Sequence, residues 1–396
     1  MKGSAMNIGP ELLPVFQQLG IYEEFLTIGK HLKHTLGFTV SLKSLKPAQG
    51  TQTTSLLAFI STTSSSDRYP LKRSIGHRVL NVTEEDEKVI VHLSNNSTFK
   101  GDIVVGADGT YSAVHQRMYE QLKSKEELPK SDQEELPFSC TCLVGQTKAL
   151  DPELFPIVKE RYCQFLTVLG DNKPFTWSIL SIAHGTLCWS VIHHLNEKTS
   201  KKVMEQRFRN NDNAEWGAYP AQIMCEETRN FPILLNDDKK HTLGDIYDLS
   251  AKELISKVML EEKVFTTWHS GHAVTAMHDA IALANLLYVM PTRTSQNFTK
   301  LFEEYQAERH SAVTEAFKSS QLMSKFMEKG VIGAIILFIL SHIPFWLWKL
   351  MLAMTVRCHP QIGYLEPIAL FGSVVCIVSH SEQKARYVFE KQQKQV

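Results

Sequence analysis

The stretch 101–114, Gly-Asp-Ile-Val-Val-Gly-Ala-Asp-Gly-Thr-Tyr-Ser-Ala-Val, constrains the fold of this chain more than any other. Ile103, Val104 and Val105 form a short apolar run, as expected of a strand buried on both faces of a parallel sheet. Gly106 and Gly109 flank Asp108 in a turn where a backbone can be approached without a Cβ in the way, and Ser112 is placed to start a helix. Strand, glycine turn and helix in that order make an α/β unit. Doubly wound sheets bind nucleotides at such turns, at the carboxyl ends of parallel strands. There the Asp108 carboxylate can accept hydrogen bonds from a ribose, and the helix amides beyond it favour a pyrophosphate. Ala-Asp-Gly is equally at home in an ordinary strand–turn–helix connection, and the residues alone leave both readings open.

The rest of the chain sorts by periodicity. A helix is expected over 10–19, with Leu12, Leu13, Phe16 and Leu19 on one face and Gly20 as its stop. Phe38, Val40 and Leu42 alternate as a strand, and 47–67 is a Ser-, Thr- and Gln-rich loop. Two strands follow at 78–83 and 88–94, joined by an acidic turn. Between 138 and 196 the pattern changes to alternating strands at 140–144, 164–169, 176–183 and 186–193, which read as a separate antiparallel sheet. A polar helix is expected over 200–216 and a regular one over 273–288. The latter carries Ala273, Met277, Ala280, Ala284 and Leu287 as an apolar stripe. The fold class is therefore α/β: a doubly wound domain from 1–137 and 254–330, an inserted antiparallel sheet over 138–253, and a tail from 331 to 396.

That tail is apolar in two runs, 331–340 and 345–356, which together with the linking residues make 26 positions. A span of that length reaches across a hydrocarbon core of roughly 30 Å. Pro344 and Lys349 near its middle argue against a simple crossing, and Trp346 and Trp348 suit an interface. An interfacial or re-entrant hairpin on the cytosolic face of a membrane is the expectation, with a pair of buried core helices as its alternative. The polar close, 390–396, is expected to fray.

Composition excludes some classes. Lys plus Arg number 42 and Asp plus Glu 42, so the chain lacks the basic excess of a nucleic-acid binder. Seven scattered cysteines form no disulfide framework. Cys140 and Cys142 share one face of a strand without a second pair to complete a zinc site, and no metal is expected. His278 and the His193–His194 pair read as solvated or strand histidines rather than as catalytic bases, so no catalytic residue is assigned.

With these residues in place, Gly-Ala-Asp-Gly-x-x-Ser-x-Val resembles the second flavin fingerprint of FAD-dependent monooxygenases of the para-hydroxybenzoate hydroxylase type. Other stretches match in order: 3–13 with Leu19-Gly20, Trp268-His-Ser-Gly271, and 273–284 with Asp279 and Ala280. The likeness is closest to fungal members that oxidise secondary metabolites. It implies FAD and NAD(P)H as cofactors, a hydrophobic small molecule as substrate, and flavin contacts at Gly106, Asp108, Gly109 and Ser112. The chain departs from the family at three places. No Gly-x-Gly-x-x-Gly occurs in the 396 residues. The third fingerprint, expected between Gly271 and Ala273, is reduced to His272, and His115 stands where the family has Arg. The doubly wound FAD-binding domain is thus expected to be incomplete, truncated at its N-terminus and internally. Part of the 273–289 stripe is then expected to lack a partner, and catalysis to be impaired. A non-catalytic binding or regulatory remnant is the alternative.

Overall fold

The computed structural model describes residues 5–8, 12–33, 38–39, 54–59, 77–85, 87–108, 112–134, 138–170, 174–195, 218–233, 235, 240–261, 263–270, 273–275, 280–327, 344, 346–347, 360–369 and 378–395. Along the chain come β1 (Ala5–Ile8), α1 (Leu13–Gln18), α2 (Tyr22–Ile28), β2 (Gly29–Lys33), β3 (Phe38–Thr39) and β4 (Thr54–Phe59). Next are β5 (Val79–Glu85), β6 (Lys88–Leu93), β7 (Thr98–Gly101), β8 (Val104–Gly106), α3 (Ala113–Ser124) and α4 (Lys130–Gln133). The middle holds β9 (Phe138–Gln146), β10 (Phe165–Leu169), β11 (Phe175–Ser181), β12 (Leu187–His194), α5 (Ala218–Thr228), β13 (Pro232–Ile233), β14 (His241–Thr242), α6 (Leu243–Asp248) and β15 (Ser256–Glu261). The last elements are β16 (His269–Ser270), β17 (Ala273–Thr275), α7 (Ala280–Val289), α8 (Ser295–Met327) and α9 (His380–Gln393).

These elements fall into two compact units, one from 1–64, 137–262 and 320–356, the other from 65–136, 263–319 and 357–396. The first is built on a six-stranded sheet in the order β15-β9-β12-β11-β10-β3, antiparallel except where β3 runs beside β10. The expected strands of 138–196 are all in it. Alternation puts Leu143, Trp177, Ile179, Trp189 and Val191 on one face, where α5 and α6 cover them with Ala221, Met224, Ile246 and Tyr247. Each indole finds a partner: Trp189 Nε1 donates to Ser250 Oγ at 2.9 Å and Trp177 Nε1 to the Pro232 carbonyl at 3.0 Å. A smaller antiparallel sheet, β1-β4-β2, completes the strands of this unit together with the β13–β14 pair. Gly20 has φ 66°, a left-handed conformation that ends the first helix as expected.

The second unit carries the Asp108 turn. The meander β5-β6-β7 leads into β8, the edge of a three-stranded sheet ordered β16-β17-β8. Helix α3 packs across β5, β8 and β17 and buries Val114, Met118 and Leu122 against Val82 and Val89. The expected helix over 273–288 is corrected here. Its first residues form β17, which pairs parallel with β8, Ala273 opposite Val104 and Thr275 opposite Gly106. The regular helix begins only at Ala280. The face that α7 buries is not the expected stripe: Ala282, Leu283 and Leu286 are buried against Phe298, Leu301, Phe302 and Tyr305 of α8, whereas Ala280 is exposed and Ala284 and Leu287 are half-buried. Val274 and Thr275 are β-branched and suit the strand that pairing with β8 makes of them. Toward the close of the chain α9 is helical as far as Gln393 and docks on α7.

The expected polar helix over 200–216 lies outside the described residues, as do most of the apolar runs of the tail, His272 and His278. Among the described residues no helix is long and apolar enough to cross a membrane. Parallel pairing there is confined to β17 with β8 and β3 with β10, so the doubly wound part of the expected fold is seen only as one parallel pair beside α3.

Candidate functional site

Strand β8 ends at Gly106, and Ser112 caps α3 with its Oγ accepting the His115 amide at 3.1 Å. A Cβ on Gly106 would stand 2.8 Å from Val114 Cβ and 3.0 Å from Ser112 Oγ. The glycine is there because strand and helix touch. Asp108 is exposed at the carboxyl end of the strand, and its Oδ2 accepts the Ala113 amide at 2.8 Å. Gly109 lies outside the described residues. The structure thus brings Gly106, Asp108 and Ser112 together around the first turn of α3.

One expectation changes. The amides of Ala113 and His115, expected to face a pyrophosphate, are satisfied by the chain's own Asp108 and Ser112. The contribution of helix amides to an anion site is reduced accordingly. What remains for a ligand is the Asp108 carboxylate, whose second oxygen and exposure suit hydroxyl donors rather than phosphates.

Two neighbouring groups frame this turn. Asp102, just before β8, is held by Lys88 and by Arg293 at 3.3 Å, and the Lys88 hydrogen bond keeps its carboxyl below the usual range. Behind α3, the His115 ring lies 4.0 Å from Tyr119 and 4.5 Å from Phe265, centroid to centroid. Burial pushes the His115 imidazole below its ordinary value. Asp132, a buried carboxylate, accepts the Thr266 and Thr267 amides at 2.8 Å each and the Tyr119 hydroxyl at 3.1 Å, tying α4 and α3 to the 263–268 segment. Burial raises the Tyr119 phenol far above its usual range. Sequence reasoning missed Asp132, because an Asp in a polar stretch carries no mark of burial.

The other flagged residues resolve as structural. His193 stacks on Phe175 at 4.4 Å, whereas His194 Nε2 meets Thr176 Oγ1 at 3.1 Å on the opposite face. Cys140 and Cys142 are buried thiols of β9, and burial pushes Cys142 up to about 12. Among the described residues no three His, Cys, Asp or Glu side chains are grouped to hold a metal ion.

No family model matches the chain. It is similar to the FAD-dependent monooxygenase paxM of Penicillium paxilli, 25% identical over 301 residues, covering 67% of this chain and 57% of that protein. It is similar also to the FAD-dependent monooxygenase atmM of Aspergillus flavus, 22% identical over 321 residues, covering 73% and 61%. A solved structure, Klebsiella pneumoniae HpxO complexed with FAD and uric acid, shares the fold with a TM-score of 0.53 at 12% identity, covering 86% of this chain and 83% of that one. The chain is thus similar to fungal FAD-dependent monooxygenases. It spans about three fifths of the length of the two fungal relatives.

Proposed function

We propose that this chain is a FAD-binding oxidoreductase of the monooxygenase type, with Asp108 as a flavin contact, NAD(P)H as reductant and a hydrophobic small molecule as substrate. The observation that carries the reading is the exposed Asp108 carboxylate at the end of β8, beside the Gly106–Val114 contact. The residues fit one portion of the cofactor: a carboxylate at this place can accept the hydroxyls of the ribityl chain or ribose. When bound and reduced, FAD supplies the activation of dioxygen. The chain's own part is to orient and to exclude water. Gly106 and Ser112 fix where α3 starts, and Asp108 projects from the turn they define.

Asp108→Ala should weaken FAD binding in a fluorescence-quenching titration, in any form of the protein that takes up the flavin. Asp108→Asn, which keeps an acceptor for the Ala113 amide, separates loss of the cap from loss of the ligand contact. Equal affinity of all three proteins removes the assignment.

The alternative, a binding remnant without turnover, is favoured by one feature, the single residue His272 between Gly271 and Ala273 where the resemblance implies the third fingerprint. Substrate-stimulated NAD(P)H oxidation distinguishes the two.

We also propose membrane association through the apolar runs of 331–356, on the strength of their length and of Trp346, which is 66% exposed. Trp346→Glu combined with Trp348→Glu should abolish flotation with anionic liposomes. Wild-type protein that does not float disposes of the proposal.

A further inference from the structure

We propose that His115 is a positioning residue for the Asp108 turn: its neutral imidazole, held between the Tyr119 and Phe265 rings, keeps the first turn of α3 in place, and protonation releases it. As a statement about ligand binding, this rests on reading the turn as the flavin contact. As a statement about the turn itself, it does not.

Three observations carry it. His115 is the third residue of α3, and its amide makes the capping bond to Ser112 Oγ, so a shift of this residue disturbs the cap directly. Its ring is in contact distance of two aromatic rings, one from α3 and one from the 263–268 segment, which fixes the helix against that segment. Its Nε2 is buried and makes no hydrogen bond among the described residues. A neutral ring tolerates this arrangement with Nε2 as the unprotonated nitrogen. An imidazolium does not, because it has a second N–H to satisfy in the same apolar place. The position also sets a positive charge in the first turn of a helix, where the macrodipole opposes it.

The charges that face the ring come from every element around it. Asp108 in the turn and Asp132 in α4 favour the protonated form, whereas Lys263 opposes it. Tyr119 contributes a phenol that burial keeps protonated. Asp132 already accepts three hydrogen bonds, which limits what it can offer an imidazolium. Burial outweighs the carboxylates, and the group titrates below its ordinary value. The sign follows. A histidine whose folded-state value is lowered stabilises the closed arrangement fully above its unfolded value, about pH 6.5, and that contribution is lost as the pH falls below it. Between pH 7.5 and 5.5 the open form should gain up to about tenfold, the ratio of protonation factors for a group of ordinary affinity in the open state.

The test is amide hydrogen exchange of residues 112–118 at pH 7.5 and 5.5, corrected for intrinsic exchange, in wild type and His115→Phe. Phe fills the same aromatic slot and cannot be protonated. Wild type should open several-fold to tenfold more at pH 5.5, and the variant should show no such change. The same pH response in both proteins overturns the proposal. An NMR titration of the His115 ring in wild type needs no variant. A value well below about 6.5 supports the role, and an ordinary one overturns it. FAD titration at both pH values separates the two ideas. No flavin binding at either pH, with the exchange pattern intact, refutes the ligand reading and leaves the positioning role supported.

Discussion

Gly106 shows why a fingerprint residue need not touch a ligand. Its missing Cβ leaves room for Val114 and Ser112, both main supports of α3. Gly106→Ala should therefore lower the stability of this unit by roughly 1–3 kcal/mol through overpacking, seen as an earlier midpoint in urea unfolding. An unchanged midpoint means that strand and helix do not touch. Ser112→Ala should cost about 0.5–2 kcal/mol through the lost cap, in the same assay. At this scale the sequence was informative about position and less so about role. It placed Gly106, Asp108 and Ser112 in one turn, and the structure does bring them together. It could not show that Asp108 would bond its own helix, because that depends on where a carboxylate five residues upstream comes to rest. His115 was discounted for lacking the charge of an arginine. Its significance comes from burial between the ring of Tyr119, one helical turn on, and that of Phe265, and no local pattern announces the second.

Among the elements, the antiparallel strands were legible because period-two alternation is a local signal, and β9 to β12 fell where alternation put them. Helix α8 was overlooked although Phe298, Leu301, Phe302 and Tyr305 repeat at spacings of three and four. Its remaining length is polar, and the stripe covers only its first turns. Those first turns cover the buried face of α7, Ala282, Leu283 and Leu286. The C-terminal segment adds a further support to α7 that sequence could not supply. Asn285, fully buried, donates from Nδ2 to the Gln361 carbonyl at 3.0 Å and accepts the Gly363 amide at 2.8 Å. Buried Glu382 in turn accepts the Gln361 amide at 3.0 Å. Asn285→Leu strands both backbone groups without partners, at about 1–3 kcal/mol each. α9 should then become sensitive to limited proteolysis near Lys384 and Arg386 while the first unit stays resistant. An unchanged cleavage pattern would show that packing of α9 on α7 suffices without the amide.

For the whole molecule the question is how firmly these 396 residues can hold a flavin. Nucleotide affinity in doubly wound sheets draws on a glycine turn at the pyrophosphate, an acidic group at ribose and further contacts along the ribityl chain. Here the sequence contains no Gly-x-Gly-x-x-Gly, and the first-turn amides of α3 are occupied by Asp108 and Ser112. Any FAD that approaches Asp108 must also compete with the Ala113 amide for the carboxylate. Charge-assisted hydrogen bonds contribute about 1.5–3 kcal/mol each, so the loss of three costs roughly 4.5–9 kcal/mol. At about 1.4 kcal/mol per tenfold, a site that would otherwise be nanomolar moves to micromolar or weaker. The polypeptide of this sequence should therefore purify without yellow colour and bind added FAD in the micromolar range or above by calorimetry. A chimera carrying the glycine turn and third-fingerprint segments of a fungal relative should recover flavin. Near-stoichiometric FAD in the unmodified protein would mean that contacts other than Asp108, from residues not described here, hold the cofactor.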